Sequence, residues 1–266
     1  MLRAMRPRTV RAAPFPRIAL FSDVDGTLLD ASDRLAITAR QVAGFASQVE
    51  LVLASSRTLV ELAVLQRRLG ISAPMIAENG AVVAFPARWR GSTATRREVV
   101  VLGDRAVTLV PRIHRCAEAA GVRVVNQKRL LPDGGRWLRR GHSVCVRDWV
   151  GPGVVPFLGC LTSAGLAATR SGQWITITSG PDKATGVRAV LDHARALGAP
   201  FRSVVGIGNA GNDVPLLKAT RVRLAVRNRN GHHPELRDIT GVHLLSASGA
   251  RAWKEALSLI LPTVPT

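Results

Sequence analysis

The 266-residue chain has no tyrosine, three methionines, three cysteines and only four lysines, and aromatic residues make up 4% of it. No apolar stretch approaches the roughly 20 residues of a spanning helix, so no membrane partner is expected. Cys116, Cys145 and Cys160 are odd in number and lack CxxC spacing. They read as buried thiols rather than a disulfide or zinc framework. Acidic residues are scarce, 18 against 37 basic, for a formal charge of +19. All but four of those 37 basic residues are arginine, scattered without an aromatic-basic signature. Nucleic acid is therefore not the expected partner, and the charge fits steering of a small anionic substrate.

No secretory apolar segment precedes the first strand, and a cytoplasmic protein is expected. Residues 1–16 hold Arg3, Arg6, Arg8 and Arg11 and no acid. A transit peptide, a basic arm, an unstructured start or a misplaced initiation site would all look like this. The expectation is a disordered Arg-rich tail.

What is present is an α/β rhythm. The 47% hydrophobic content suffices for one large or two modest domains. Residues 17–22 read as a strand, 33–47 as a helix, 50–54 as a strand and 58–69 as a helix. That second helix has a Thr58-x-x-Glu61 capping box and Gly70 as its stop. A third strand is expected at 74–78. Such a βαβαβ run implies a parallel sheet with right-handed crossovers. The rhythm then changes. Strands are expected at 82–85, 98–102, 122–126, 143–147 and 174–178, with helices at 106–120 and 153–164 and a Pro-Asp-Gly-Gly turn at 132–135. The parallel pattern resumes with a helix at 184–197, a strand at 203–208, a short helix at 213–219, strands at 221–226 and 242–245, and a helix at 249–261. The expected fold is α/β, a doubly wound parallel-sheet (Rossmann-like) core with an inserted α/β cap domain. The core would comprise residues 17–86 and 180–266, and the cap residues 87–179.

The first strand ends in Asp23-Val24-Asp25-Gly26-Thr27. Residues i and i+2 of an extended chain point the same way, so both acids meet at the strand's C-terminal mouth, where open α/β sheets bind ligands. One aspartate can attack phosphorus while the other moves the proton. An isolated Asp-x-Asp is more often an Asx turn, but the longer Asp-x-Asp-Gly-Thr-Leu string is far more specific. The second strand ends in Ala54-Ser55-Ser56-Arg57-Thr58, a hydroxyl before a helix N-terminus and a ready phosphate site. Lys183 stands at a helix start, where it can neutralise a carboxylate and phosphoryl oxygens. Gly206-Ile207-Gly208-Asn209-Ala210-Gly211-Asn212-Asp213 follows another apolar strand and offers oxygen ligands that suit Mg²⁺. Singly, each has a bland reading as a helix cap, a solvated lysine or a Gly-rich turn.

In this order the four elements resemble the haloacid dehalogenase superfamily of phosphatases. A finer resemblance is to the mannosyl-3-phosphoglycerate phosphatase family, carried by Ala54–Thr58 with Glu61, by Pro74-Met75-Ile76-Ala77-Glu78-Asn79-Gly80-Ala81, and by Gly249-Ala250-Arg251-Ala252-Trp253-Lys254-Glu255-Ala256. It implies Asp23 as nucleophile, Asp25 as acid/base, and Ser55 and Lys183 on the transferring phosphoryl group. It also implies Mg²⁺ held by Asp23, the Asp25 backbone carbonyl, Asn209 and Asp213. Arg57, Glu78, Asn79 and Asn212 would contact substrate or support the groups that do, and the insertion would set specificity for a small phosphorylated sugar or glycosyl-3-phosphoglycerate.

The chain departs from the family in three places. Asn209 replaces the usual first acid of the metal loop, Arg147-Asp148-Trp149-Val150-Gly151-Pro152 stands for Arg-Glu-x-Ser-Glu-Pro, and Gly172-Gln173-Trp174 stands for Gly-Arg-Phe. These departures motivate a rival reading, a catalytically weak protein that binds a phosphorylated ligand. The six histidines show no convergent ligand spacing. Trp89, Trp137 and Trp149 read as core packing, with a sugar platform as the alternative.

Overall fold

The structure, a computed structural model, describes residues 15–30, 32–126, 140–171 and 173–261. The Arg-rich segment 1–14, the expected turn at 132–135, Trp137 and Gly172 lie outside them. In chain order the first half contains β1 (Ile18–Ser22), α1 (Ala39–Phe45), β2 (Val49–Ala54), α2 (Leu59–Leu69), β3 (Met75–Ala77), β4 (Val82–Phe85), β5 (Glu98–Val101) and α3 (Ala106–Ala119). Then come β6 (Val144–Arg147), α4 (Val154–Ser163), β7 (Ala167–Ser171), β8 (Trp174–Thr178), α5 (Lys183–Ala196), β9 (Ser203–Gly208), α6 (Val214–Lys218), β10 (Val222–Ala225), α7 (Pro234–Arg237), β11 (Val242–Leu244) and α8 (Gly249–Ile260).

Eight strands form one sheet in the order β11-β10-β9-β1-β2-β3-β4-β5. Every pairing from β11 to β3 is parallel, while β4 and β5 add antiparallel at one edge. Strand β1 is buried on both faces, which is why it reads as a continuous apolar run rather than an alternation. Leu20 packs into the core on one side, while Ala19 and Phe21 pack into the core on the other. The chain winds outward from β1 through β2 to β3, and later through β9 to β10. The switch in direction between β1 and β9 opens a crevice at the strands' C-terminal ends.

A second sheet, β6-β8-β7, is antiparallel throughout. Val144, Val146, Ile175 and Ile177 pack with Leu109, Ile113, Phe157 and Leu161 of α3 and α4. Side chains alternate across a strand, and directly opposed residues share a face. Cys145, Arg147, Trp174, Thr176 and Thr169 therefore take the other face. That face looks toward the main sheet, because β8 lies against residues 78–80 and β7 against residues 211–213.

Several expectations change. Strand β5, expected in the insertion, pairs with β4 and extends the main sheet, so the chain leaves that sheet after Val101 rather than at residue 87. The expected helix at 33–47 shortens to α1. Asp33 has φ 56°, and bridges Asp25–Leu29 and Leu29–Leu35 fold residues 25–35 into a compact loop before Thr38 caps the helix. Of the strand expected at 122–126, only a bridge from Asn126 to Val146 forms. Strand β7 was not expected, since Ala167-Ala168-Thr169-Arg170-Ser171 carries little apolar signal. Cys116 and Cys160, read as thiols, instead form a disulfide with Cα atoms 5.4 Å apart, joining α3 to α4. Only Cys145 is a free, buried thiol. Trp89 packs in the main core and donates to Glu50, while partly buried Trp149 packs at a tilt against Phe157.

Candidate active site

The crevice collects the ends of β1, β2 and β9. Asp23 follows β1 directly, and its N–H still donates to Ile207 of β9 at 2.9 Å, so the sheet itself fixes it. Lys183 is the first residue of α5, a position set by the Asp182 N-cap and its reciprocal bonds with Thr185. Its ammonium reaches Asp23 Oδ1 at 2.5 Å and Asp213 Oδ1 at 2.6 Å. All three side chains are at least 94% buried. Two carboxylates thus share one ammonium, leaving a buried deficit of positive charge. Burial and the facing Asp213 push the Asp23 carboxyl up to about 7, against the pull of Lys183. Burial acts to lower the Lys183 ammonium pKa, but Asp213 and Asp23 outweigh it and hold the value above its ordinary one.

Both oxygens of Asp213 are engaged within the protein. Its Oδ1 takes Lys183, and its Oδ2 accepts from the Asn209 and Ala210 amides at 2.9 and 3.0 Å. It orders the loop and holds the lysine. Asn209 lies where expected. Its Oδ1 accepts from Thr27 Oγ1 at 3.0 Å and stands 3.0 Å from the Asp25 carbonyl and 3.2 Å from Asp23 Oδ2. Among the described residues no three His, Cys, Asp or Glu side chains gather as a metal site. This cluster is instead one carboxylate, one carbonyl and one amide. Adjacent ligands of a Mg²⁺ ion at 2.0–2.1 Å in an octahedron stand about 2.9 Å apart. The observed oxygen spacing fits a small hard cation.

Ser55 is fully buried at the end of β2, and its Oγ accepts from the Arg57 amide at 3.1 Å. Its hydroxyl proton has no acceptor among the described residues, which leaves it available to an anion. Arg57 binds both Asp25 oxygens, the shortest contact being 2.6 Å, and also reaches Asp33 at 3.2 Å. Burial acts to lower the Arg57 pKa, but Asp25, Glu61 and Asp33 together hold it above its usual value. Asn79 and Asn212 are both buried beside these loops. Both polar ends of the Asn79 side chain and the Asn212 Oδ1 have no partner.

Glu78 is engaged across the junction between the two sheets. One oxygen accepts from the Gly141 amide at 3.0 Å, the other from the His142 amide at 3.0 Å and Ser143 Oγ at 2.6 Å. It latches the base of β6 to the main sheet. Glu78 and Asn79 both have positive φ, and a Cβ on Gly80 would stand 1.8 Å from the Asp182 carbonyl. The Glu-Asn-Gly string is thus a tight turn pressed against the start of α5.

Sequence reading missed two contributors. Thr27 binds Asn209, and its carbonyl accepts from Trp253 Nε1 at 3.0 Å, which ties α8 to the nucleophile loop. Asn228, just beyond β10, bonds Asn209 twice. A polar residue at the end of yet another parallel strand was the signal available for it.

Comparison with known proteins supports the same grouping. The haloacid dehalogenase-like hydrolase family profile matches residues 20–93. A glucosyl-3-phosphoglycerate/mannosyl-3-phosphoglycerate phosphatase of Persephonella marina is 24% identical over 92% of this chain and 97% of its own. The fold is similar to a Thermoplasma acidophilum protein at TM-score 0.65 and 18% identity, covering 92% of this chain and 98% of that one. It is also similar to the sucrose-phosphatase of Synechocystis at TM-score 0.64 and 15% identity, with coverage of 92% and 98%. The chain is thus similar to haloacid dehalogenase-like hydrolases over residues 20–93 and to a glucosyl-3-phosphoglycerate/mannosyl-3-phosphoglycerate phosphatase over most of its length, and its fold is a Rossmann-like core with an inserted α/β cap.

Proposed function

We propose that the protein is a Mg²⁺-dependent phosphatase that hydrolyses a small phosphorylated sugar or glycosyl-3-phosphoglycerate through a phosphorylated Asp23. The observation that carries this reading is the buried Asp23–Lys183–Asp213 cluster at the mouth of β1, with Asp25 two residues on. Asp23 Oδ2 bonds no ammonium and stands 3.2 Å from the Asn209 amide oxygen, which is itself 3.0 Å from the Asp25 carbonyl. A divalent cation bound by Asp23, the Asp25 carbonyl and Asn209 would supply positive charge to the nucleophile and the phosphoryl oxygens. Asp23 attacks phosphorus, the ester P–O bond breaks, and Asp25 gives its proton to the leaving oxygen. Asp25 then takes a proton from the water that attacks the same phosphorus, releasing phosphate and restoring Asp23. Lys183 and the Ser55 hydroxyl hold phosphoryl oxygens, so most of the protein's work is positioning and charge neutralisation.

The leaving group would meet the inner face of the second sheet. Arg147 is exposed there without an ion partner among the described residues, directly opposite Trp174, with Thr176 and Thr169 one step inward. A guanidinium suits a carboxylate, and an indole face beside hydroxyls suits a sugar ring. That pairing supports a glycosyl-phosphoglycerate over a simple sugar phosphate, in line with the Persephonella relative's name.

Asn209 in place of an acid, and Asp25 held by Arg57, favour a second reading, ligand binding without turnover. Release of a generic chromogenic phosphate ester in Mg²⁺, lost on adding chelator, is expected under the first. Stabilisation by a phosphorylated ligand with no release of phosphate would establish the second instead.

A further inference from the structure

Asn228 takes part in none of the steps above, yet both ends of its amide are committed to Asn209. Its Oδ1 accepts from Asn209 Nδ2 at 2.8 Å, and its Nδ2 donates to the Asn209 backbone carbonyl at 2.7 Å. The first of these contacts decides which way the Asn209 side chain faces. With its nitrogen on Asn228, its oxygen joins Asp23 Oδ2 and the Asp25 carbonyl in the cluster described above.

Taken alone, the opposite orientation has much in its favour. A reversed Asn209 amide would donate to Thr27 Oγ1, the Asp25 carbonyl and Asp23 Oδ2, at 3.0, 3.0 and 3.2 Å. Its oxygen would then face Asn228 Oδ1 at 2.8 Å. Turning Asn228 to follow only moves the conflict, since its oxygen would come to lie 2.7 Å from the Asn209 carbonyl. Every arrangement leaves at least one contact between acceptors, two of them with the oxygen inward, and a partly buried contact of that kind is costly. Only with the oxygen inward does the conflict fall where a cation relieves it.

We propose that Asn228 is a positioning residue that holds the Asn209 amide oxygen toward the cation. A carboxylate at 209 presents oxygen either way round and needs no such partner, whereas an amide does. Asn228 thereby offsets part of the weakness of an amide ligand. The proposal rests on the reading of a divalent cation at Asp23, the Asp25 carbonyl and Asn209.

The test is calorimetric titration of Mg²⁺ and Mn²⁺ into the whole protein without substrate, with the melting temperature of each metal-free variant as the check on folding. Asn228→Ala is expected to weaken binding by about tenfold, the lower end for groups that orient metal ligands. Asn228→Ser, too short to reach Asn209 Nδ2, is expected to do likewise and stands in if the alanine variant does not fold. Asn228→Asp keeps the acceptor for Asn209 Nδ2 but sets an oxygen against the Asn209 carbonyl, and is expected to lose less affinity than Asn228→Ala, whereas a loss as large as alanine's would count against the orienting contact. In an Asn209→Asp background, Asn228→Ala is expected to have no effect on affinity. Equal affinity of wild type and Asn228→Ala overturns the positioning role alone. So does an equal loss in both backgrounds, which would mark a general loosening of the loop. Absence of cation binding in both wild type and Asn209→Asp overturns the metal reading and this proposal with it.

Discussion

At the scale of the residue, Asn209 stands where the metal loop of the family that the chain resembles usually carries an acid. An amide oxygen is a weaker ligand than a carboxylate, and Asp213 is occupied by Lys183 and two backbone amides. On the proposed reading, a cation there would meet one carboxylate, on Asp23. Asn209→Asp is expected to lower the Mg²⁺ concentration for half-maximal phosphatase rate by about tenfold, about 1.4 kcal/mol. An unchanged metal dependence would show that position 209 is not a ligand. Asp23, Asp25, Ser55, Lys183 and Asn209 were legible in sequence because each ends a strand or starts a helix at the same mouth. The partners of Glu78 were not legible, because the Gly141 and His142 amides lie about sixty residues away on backbone that no side-chain pattern announces. Asn228 was missed because its role depends on a register between β9 and β10 that spacing alone does not reveal.

At the scale of the element, the strands of the main sheet were the most legible. Buried parallel strands are written as short apolar runs, and their helices carry explicit signals, such as the Thr58 capping box at the start of α2 and left-handed Gly70 at its end. The second sheet was harder to read. Its edge strand β7 is small and polar, and its antiparallel pairs alternate. The disulfide was invisible because Cys116 and Cys160 meet only once α3 and α4 pack side by side. Their separation of 44 residues makes the crosslink a large constraint on the unfolded chain. The double variant Cys116→Ser with Cys160→Ser is expected to lose about 2–4 kcal/mol of stability in a denaturant melt. Reductant should destabilise wild type similarly and leave the double variant unmoved. Equal melts of wild type with and without reductant would mean the bond contributes nothing.

At the scale of the whole molecule, two sheets close on one crevice, and the Glu78 latch holds them together at the base of β6. The connecting segments after β5 and after β8 are themselves tied, with the Asp104 amide donating to Ser179 Oγ at 2.7 Å. Glu78→Ala removes three acceptor contacts across the junction. Amide exchange at residues 140–147 is expected to quicken and KM to rise, since closure excludes water and completes the substrate site. Unaltered exchange there would remove Glu78 from the closing mechanism. The central claim is that Asp23 becomes phosphorylated. It is tested most directly by acid-quenched mass spectrometry of Asp25→Asn after mixing with an activated phosphate ester and Mg²⁺. Asparagine at 25 cannot activate the water of the second step, so the intermediate should accumulate. The expected result is one added phosphoryl group on the peptide containing Asp23, absent when Asp23 is also changed to Asn. Phosphate release by Asp25→Asn at the wild-type rate, or a phosphoryl group that persists in the double variant, would contradict it.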